Sequence, residues 1–282
     1  MILITAATGH LGRLVVDHLR TQIDPATIVA AARRPDALAD LAAHGVTVRE
    51  LDYDRPDTIA AALAGVEQVL LVSGSEFGRR VPQHRAVIDA AVAAGVDHLA
   101  YTSVLRADSS TLPVAPDHLA TEQLLAEAPI ATTRLRNGWY LENYTEQLDA
   151  PLANGAFIGS AGTGHIAAAA RADYAAAAVA VLTDPALRGG TYELAGDAFT
   201  MADLAAAVSE LTGRDLPYHD LPADQYGAIL AGAGLPDELV PFLVAVDLGI
   251  AAGELDASST ALEQLIGRRA TTLAQALQAR TW

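Results

Sequence analysis

The sequence predicts an α/β fold: a Rossmann-type doubly wound parallel sheet with a smaller helix-rich C-terminal lobe. Three observations point there. Short apolar runs alternate with helical patterns through the first half, a glycine-bearing turn follows the first run directly, and the rhythm changes after Asn137.

Strand-like runs are expected at Ile2–Thr5, Thr27–Ala32, Val46–Leu51, Gln68–Val72, His98–Ser103 and Thr132–Arg136. Between them apolar residues recur at helical spacing, as at Leu11, Leu14, Val15 and Leu19, or at Val87, Ile88, Ala91 and Val92. Units of roughly 20 to 30 residues fit right-handed βαβ crossovers, which make the sheet parallel and cover both its faces. The alternation sets a nucleotide-binding domain over 1–150 and a substrate lobe over 151–282, with the chain returning to the sheet around 166–195. In the lobe, Gly155, Gly159, Gly162 and Gly164 break the chain into extended pieces around Phe157 and Ile158. The alanine-rich stretch Ala167 to Ala180 reads as a buried helix, and along the chain a helix is expected from Ala172 to near Asp184 and Pro185, before a strand at Thr191–Leu194. From Thr200 the pattern is mostly helical, punctuated by Pro217, Pro222, Pro236 and Pro241. A cleft between such a lobe and a doubly wound sheet is a usual place for a substrate.

With 282 residues, 51% of them hydrophobic, the chain can bury a sizeable core. A net charge of −16 repels phosphate backbones and anionic lipid, so nucleic acid and membrane are poor partners. The chain has no Cys, which excludes disulfides and thiolate chemistry. It also has no Lys: all 18 basic residues are Arg, so no mechanism can use a Schiff base, a Walker A lysine or a Tyr-Lys proton relay. The opening Met1-Ile2-Leu3-Ile4 is too short for a signal segment, and Arg171 and Asp173 interrupt the longest alanine stretch, so a cytoplasmic location is expected.

The first apolar run leads into Ala6, Ala7, Thr8, Gly9, His10, Leu11 and Gly12, where a helix begins. Backbone N–H groups at such a helix start can meet a pyrophosphate if no side chain intervenes, and Gly9 and Gly12 supply that approach. Ala6 replaces the first glycine of the usual run, at a cost of about 1 kcal/mol if the turn needs φ > 0. NAD-preferring folds place a carboxylate at the end of the second strand; here stand Arg33 and Arg34. Arg33 offers a fork suited to a 2′-phosphate with no carboxylate competing for the spot, so the expected cofactor is NADPH; Arg34 reads as a solvated residue at a helix start. Asp52 is placed either near the adenine or as a helix N-cap. Ser73, Gly74 and Ser75 are small and polar where the cofactor's ribose would pass.

Short-chain dehydrogenases pair a Tyr with a Lys four residues on, but Tyr101-Thr102-Ser103 is followed by Leu105 at that spacing. Either another donor serves, or the acceptor scarcely needs one. His10 matters for its backbone, His84 and His118 lie on helical segments, and His165 is a candidate to line the cleft. No H-E-x-x-H pair or G-x-S-x-G elbow occurs, so neither a metal site nor serine hydrolysis is expected.

Several segments share a pattern: Thr5–Gly12, Arg33, Ser73–Glu76, Pro82-Gln83-His84-Arg85, Tyr101-Thr102-Ser103, and His118, Thr121 and Glu122. They continue through Leu135-Arg136-Asn137-Gly138-Trp139-Tyr140, Glu142-Asn143-Tyr144, Arg171-Ala172-Asp173-Tyr174 and Tyr192–Gly196 to Leu265–Gly267. Over nearly its whole length the chain thereby resembles the atypical short-chain dehydrogenases of the NmrA-like group, and within it the bacterial NADPH:quinone oxidoreductase 2 type. Ala6 and Gln123, the latter where such proteins often carry Lys, depart from the pattern. The resemblance implies hydride transfer from NADPH to a quinone without flavin. It places Asn143 and Tyr140 as catalytic groups facing the nicotinamide, with hydrophobic packing of Tyr140 and Trp139 as the competing reading. Asn137 and Gly138 would hold the nicotinamide end, and Arg171 would lie on the cofactor side unless it serves a helix-start salt bridge. Acceptor choice falls to Phe77 and the stretch from Asn143 to Phe157. Two other readings stay open: reduction of a ketone, enone or azo compound, or an NADP(H)-binding redox sensor without turnover. A homodimer is the expected assembly, although no exposed stripe specifies one.

Overall fold

A parallel strand leaves its N–H and C=O groups to be satisfied by neighbours on both sides, and the apolar runs of the first half do this side by side. In the computed structural model, which describes residues 1–76 and 78–280, they are β1 (Ile2–Ile4), β2 (Ile28–Ala32), β3 (Thr47–Glu50), β4 (Gln68–Leu71), β5 (His98–Val104) and β6 (Ala131–Asn137). Each matches the sequence expectation to within a residue at either end, where ladders fray. Six further strands follow: β7 (Trp139–Tyr140), β8 (Phe157–Gly159), β9 (Ile166–Ala169), β10 (Thr191–Leu194), β11 (Ala198–Phe199) and β12 (Tyr218–Asp220).

The helices of the first half are α1 (His10–Leu19), α2 (Ala39–Ala43), α3 (Pro56–Ala62), α4 (Arg80–Ala93) and α5 (Ala115–Glu127). Beyond β7 come α6 (Glu142–Thr145), α7 (Asp149–Asn154), α8 (Arg171–Thr183), α9 (Met201–Thr212), α10 (Ala223–Gly232), α11 (Leu239–Ala251), α12 (Ala261–Ile266) and α13 (Leu273–Gln278).

The main sheet has 7 strands in the order β10-β6-β5-β4-β1-β2-β3. Every pairing in it is parallel, with Ile2 beside Ile28 on one flank and Gln68 on the other. The order reverses at β1, whose neighbours are β2 and β4. The carboxyl ends of β1 and β4 therefore open a crevice at a topological switch point. One face of the sheet packs on α1 and α8 through Val15, Val16, Leu19, Tyr174 and Val181. The opposite face packs on α3 and α4 through Ile59, Leu63, Val87 and Ile88. All of β5 is buried, as a central strand covered on both faces must be.

The remaining strands build the lobe, as a 3-stranded sheet β11-β9-β7 and a β12-β8 pair. Its core gathers Leu148, Phe157, Ile166, Phe199, Leu204, Val208, Val246 and Ile250. A capping box between Thr200 and Asp203 starts α9.

The alanine-rich stretch is not one helix. Ile166–Ala169 forms β9, pairing with β7 and β11, and the helix starts only at Arg171. Alanine's helix propensity yields there to strand pairing in a fully buried position. Among the described residues no helix is long and apolar enough to cross a membrane.

Candidate active site

The turn after β1 is the first wall of a groove of about 510 Å³ at the switch point. Ala6 sits at φ 48, so the turn does require the left-handed region, and Ala bears a strain that Gly would not. Gly12 is imposed by the same turn: a Cβ there would lie 2.5 Å from the Ala6 carbonyl oxygen. Gly9 is the N-cap of α1 and offers no side chain to the first-turn N–H groups, and no acidic residue stands in that turn. Uncapped donors at the positive end of a ten-residue helix fit a pyrophosphate.

Of the residues expected here, Ala6, Thr8, Gly9, His10, Leu11 and Gly12 line the groove. Ala7 does not. It is wholly buried, and its N–H is spent on the Ala31 carbonyl at 3.0 Å.

Arg33 stands past the end of β2 and lines the groove, two-thirds exposed. The expectation that no carboxylate competes there is overturned: Glu76 pairs with Arg33 at 3.2 Å. Asp52 also lines the groove, but it is no helix N-cap. Its Oδ1 accepts the Asp54 N–H at 3.1 Å, and α3 begins only at Pro56, behind Arg55.

The loop Ser73-Gly74-Ser75 forms the opposite bank, and buried partners fix its backbone. Ser73 N–H donates to Thr102 Oγ1 at 2.9 Å, Gly74 N–H donates to His84 Nε2 at 3.0 Å, and Arg80 Nε donates to the Gly74 carbonyl at 2.7 Å. His84 Nδ1 lies 2.9 Å from Thr121 Oγ1, which itself donates to the Asp117 carbonyl. Thr121 therefore accepts from Nδ1–H, and Nε2 is left as the acceptor for Gly74. Burial, reinforced by the Arg80 charge, lowers the His84 pKa to about 3, so the ring stays neutral and keeps this tautomer.

His118 and His165 lie elsewhere. His118 is buried against the Tyr101 hydroxyl at 2.7 Å, and burial brings its pKa to about 3. His165 is exposed and does not line the groove. Ser103, at the end of β5, donates to Glu122 at 2.6 Å, and Glu122 in turn holds Arg136 Nη2 at 2.7 Å. The strand end that would carry a Ser-Tyr-Lys relay is thus sealed into a buried ion pair.

Tyr140, Asn143 and Arg171 close the groove from the lobe side. The Tyr140 ring lies 5.5 Å from the Arg171 guanidinium carbon and 5.4 Å, edge on, from Tyr174. Burial raises the Tyr140 pKa, with the Asn137 amide and the Arg171 charge opposing it. The phenol accordingly stays protonated and can donate. Trp139 packs into the lobe core. Arg171 lines the groove, and its Nη1 meets Glu146 at 2.8 Å. Its N–H, at the start of α8, is taken by Glu142 at 2.9 Å.

Asn137 and Gly138 are not brought to the groove lining. Asn137 is buried at the end of β6. Gly138 is required by strand packing, since a Cβ there would lie 2.7 Å from the Ala167 carbonyl oxygen and 3.1 Å from that of Leu194. Phe77 lies outside the described residues. Sequence reasoning missed Tyr53, Glu76, Arg80 and Gln83 as lining residues. Tyr53 Oη reaches Thr5 Oγ1 at 2.6 Å and the Val72 carbonyl at 2.8 Å, which clamps the ends of β1 and β4 together. The Gln83 and Glu76 positions lay within segments already singled out; nothing local indicated that Glu76 reaches Arg33 or that Gln83 reaches Glu76.

The chain is similar to known proteins over its whole length. The chain is 48% identical to quinone oxidoreductase 2 of Escherichia coli K12 over 278 residues, 98% of this chain and 97% of that one. The crystal structure of the E. coli NADPH-dependent quinone oxidoreductase complexed with NADPH superposes with a TM-score of 0.96 at 47% identity, covering 99% of each chain. The Citrobacter sp. triphenylmethane reductase complexed with NADP(H) matches with a TM-score of 0.94 at 34% identity, covering 98% of each chain. The model of the NmrA-like family matches residues 1–279. With agreement running from the first strand to the last helix, this chain belongs to the NmrA-like family.

Proposed function

We propose that this chain is an NADPH-dependent oxidoreductase that reduces a quinone or related conjugated carbonyl, with neither flavin nor metal. When bound, the reduced nicotinamide supplies the hydride. The observation that carries the reading is one groove lined both by the uncapped start of α1 and Arg33 and by Tyr140 and Asn143.

The chain's own residues divide the work along that groove. The N–H groups at the start of α1 hold the pyrophosphate and Arg33 takes the 2′-phosphate. The banks at Ser73–Ser75 and Arg171 orient the rest of the cofactor. Asn143 and Tyr140 donate hydrogen bonds to the acceptor oxygen on which negative charge develops. A quinone spreads that charge over its ring, so two neutral donors suffice where a simple ketone would need a stronger acid. The lobe shapes the acceptor side and excludes water.

The likeness to a triphenylmethane reductase favours a second reading, reduction of another conjugated electrophile in the same place. One assay separates them. Purified protein is mixed with NADPH and a panel of a benzoquinone, a naphthoquinone, a triphenylmethane dye and an aromatic ketone, and the absorbance of the reduced nicotinamide is followed. Quinone-dependent oxidation, much slower with NADH, is the expected result. Turnover with the dye alone would move the assignment to the second reading. Tight binding without turnover of any acceptor would argue for a sensor.

A further inference from the structure

At the end of the groove nearest β2, an ion pair runs from one bank to the other. Arg33 Nη1 donates to Glu76 Oε1 at 3.2 Å, and Glu76 belongs to the loop that follows β4. Its second oxygen, Oε2, accepts from Gln83 Nε2 at 3.2 Å and lies 3.6 Å from Arg79 Nη1. Gln83 and Arg79 are themselves anchored on Asp54, the guanidinium at 2.7 Å and the amide at 3.2 Å. The Glu76 carboxylate is thus held by two guanidinium groups and an amide, a set of donors that suits a phosphate as well as a carboxylate. Because β2 and β4 flank β1, the pair links the loops on either side of the phosphate turn. Arg33, Glu76 and Gln83 all line the groove.

We propose that Glu76 is a specificity-determining residue that competes with the 2′-phosphate of NADPH for Arg33 and so limits the preference for NADPH over NADH. The proposal rests on the reading of Arg33 given above. A 2′-phosphate carries about −1.5 to −2 charges, and it cannot share one guanidinium fork with a carboxylate without repulsion. NADPH must displace Glu76 onto Gln83 and Arg79; NADH, with a hydroxyl at that position, need not. The pair is open to water, with side chains 67% and 39% exposed, so it parts easily and its effect is a few-fold in affinity.

The test is isothermal titration of NADPH and NADH into the full-length protein and into Glu76→Gln, Arg33→Ala and the double variant. Glu76→Gln is isosteric at an exposed position, and an unchanged thermal midpoint checks its fold. It should tighten NADPH about three- to fivefold and leave NADH within about twofold. The gain should shrink at high salt and vanish in the Arg33→Ala background. An unchanged or weaker NADPH affinity overturns the proposal, as does a loss of NADH affinity, which would make Glu76 an acceptor for the ribose hydroxyl. Arg33→Ala alone separates the two claims. If it weakens NADPH and spares NADH, the reading of Arg33 stands whatever Glu76→Gln does; if it weakens both equally, that reading falls and the proposal falls with it.

Discussion

His84 Nε2 accepts the Gly74 N–H at 3.0 Å, so a buried imidazole on α4 sets one bank of the groove. His84→Phe would leave that N–H without its acceptor and take away the donor to Thr121 Oγ1, which keeps its own bond to the Asp117 carbonyl. We expect it to raise the Kd for NADPH about fivefold to tenfold, roughly 1 to 1.4 kcal/mol. His84→Gln can present an amide oxygen to Gly74 and should recover most of the affinity. Calorimetric titration of both variants checks this, and equal Kd values for wild type and His84→Phe would remove His84 from the site's support.

The same burial makes stability depend on pH. His84 and His118 have pKa values lowered to about 3, and His98 to about 4, from an ordinary 6.5. Between those values and 6.5 the unfolded chain binds protons that the folded chain refuses. Stability therefore falls as pH drops below 6.5, by about 1.4 kcal/mol per unit for each such histidine. Asp247, raised by burial to about 6, opposes this between 3.8 and 6. Urea unfolding from pH 7.5 to pH 4.5 should show a net loss on acidification, and a gain would contradict the neutral, buried state of these rings.

Ala6 at φ 48 is strained where Gly would be relaxed. Ala6→Gly should stabilise the protein by about 1 kcal/mol, which raises Tm by roughly 2–4 °C. It should not weaken NADPH binding. A thermal scan in the presence and absence of the cofactor reads both effects.

Asn143→Ala and Tyr140→Phe each remove one donor from the acceptor end of the groove. Each is expected to lower kcat at least tenfold while the Kd for NADPH stays within about twofold. Single-turnover oxidation of bound NADPH by a benzoquinone measures this directly. An unaltered kcat in either variant would retire that residue from the chemistry.

Glu122→Ala would leave Arg136 buried without its closest carboxylate, now at 2.7 Å, although Glu193 at 2.8 Å and Asp108 at 3.1 Å remain. A loss of about 1.5–3 kcal/mol in urea unfolding is expected, because Arg136 loses its buried two-pronged carboxylate and keeps only the more exposed Glu193 and Asp108. Activity per folded molecule should hold, which separates this network from the groove.

The features legible in the sequence were those encoded locally. Strand ends fix which loops reach the crevice, so the turn at Ala6–Gly12, Arg33 and Ser73–Ser75 could be placed from the alternation alone. Glu76 was in view as part of a shared segment, but its contact with Arg33 bridges 43 residues and no local pattern encodes it. Asn137 and Gly138 occupy a strand end, normally a groove position, yet neither lines the groove. Here the β6 end is roofed by β9 and β10, and packing against Ala167 and Leu194 decides what stands at residue 138. The strand at Ile166–Ala169 was hidden for a related reason: its residues are good helix formers, and only their partners in β7 and β11 make them a strand.

The edge position of β10 beside β6 orders events in time as well as in space. A ribosome releases β1 and its phosphate turn first, yet the seventh strand of the same sheet is encoded only at Thr191–Leu194, and α8, which covers α1, only at Arg171–Thr183. The nascent amino-terminal half must therefore wait, with the apolar face of α1 uncovered, until the excursion through β7–β9 has been synthesised. A chain stalled or truncated before residue 194 would present that face and an unpaired β6 edge to chaperones and proteases, so the groove is completed late in synthesis.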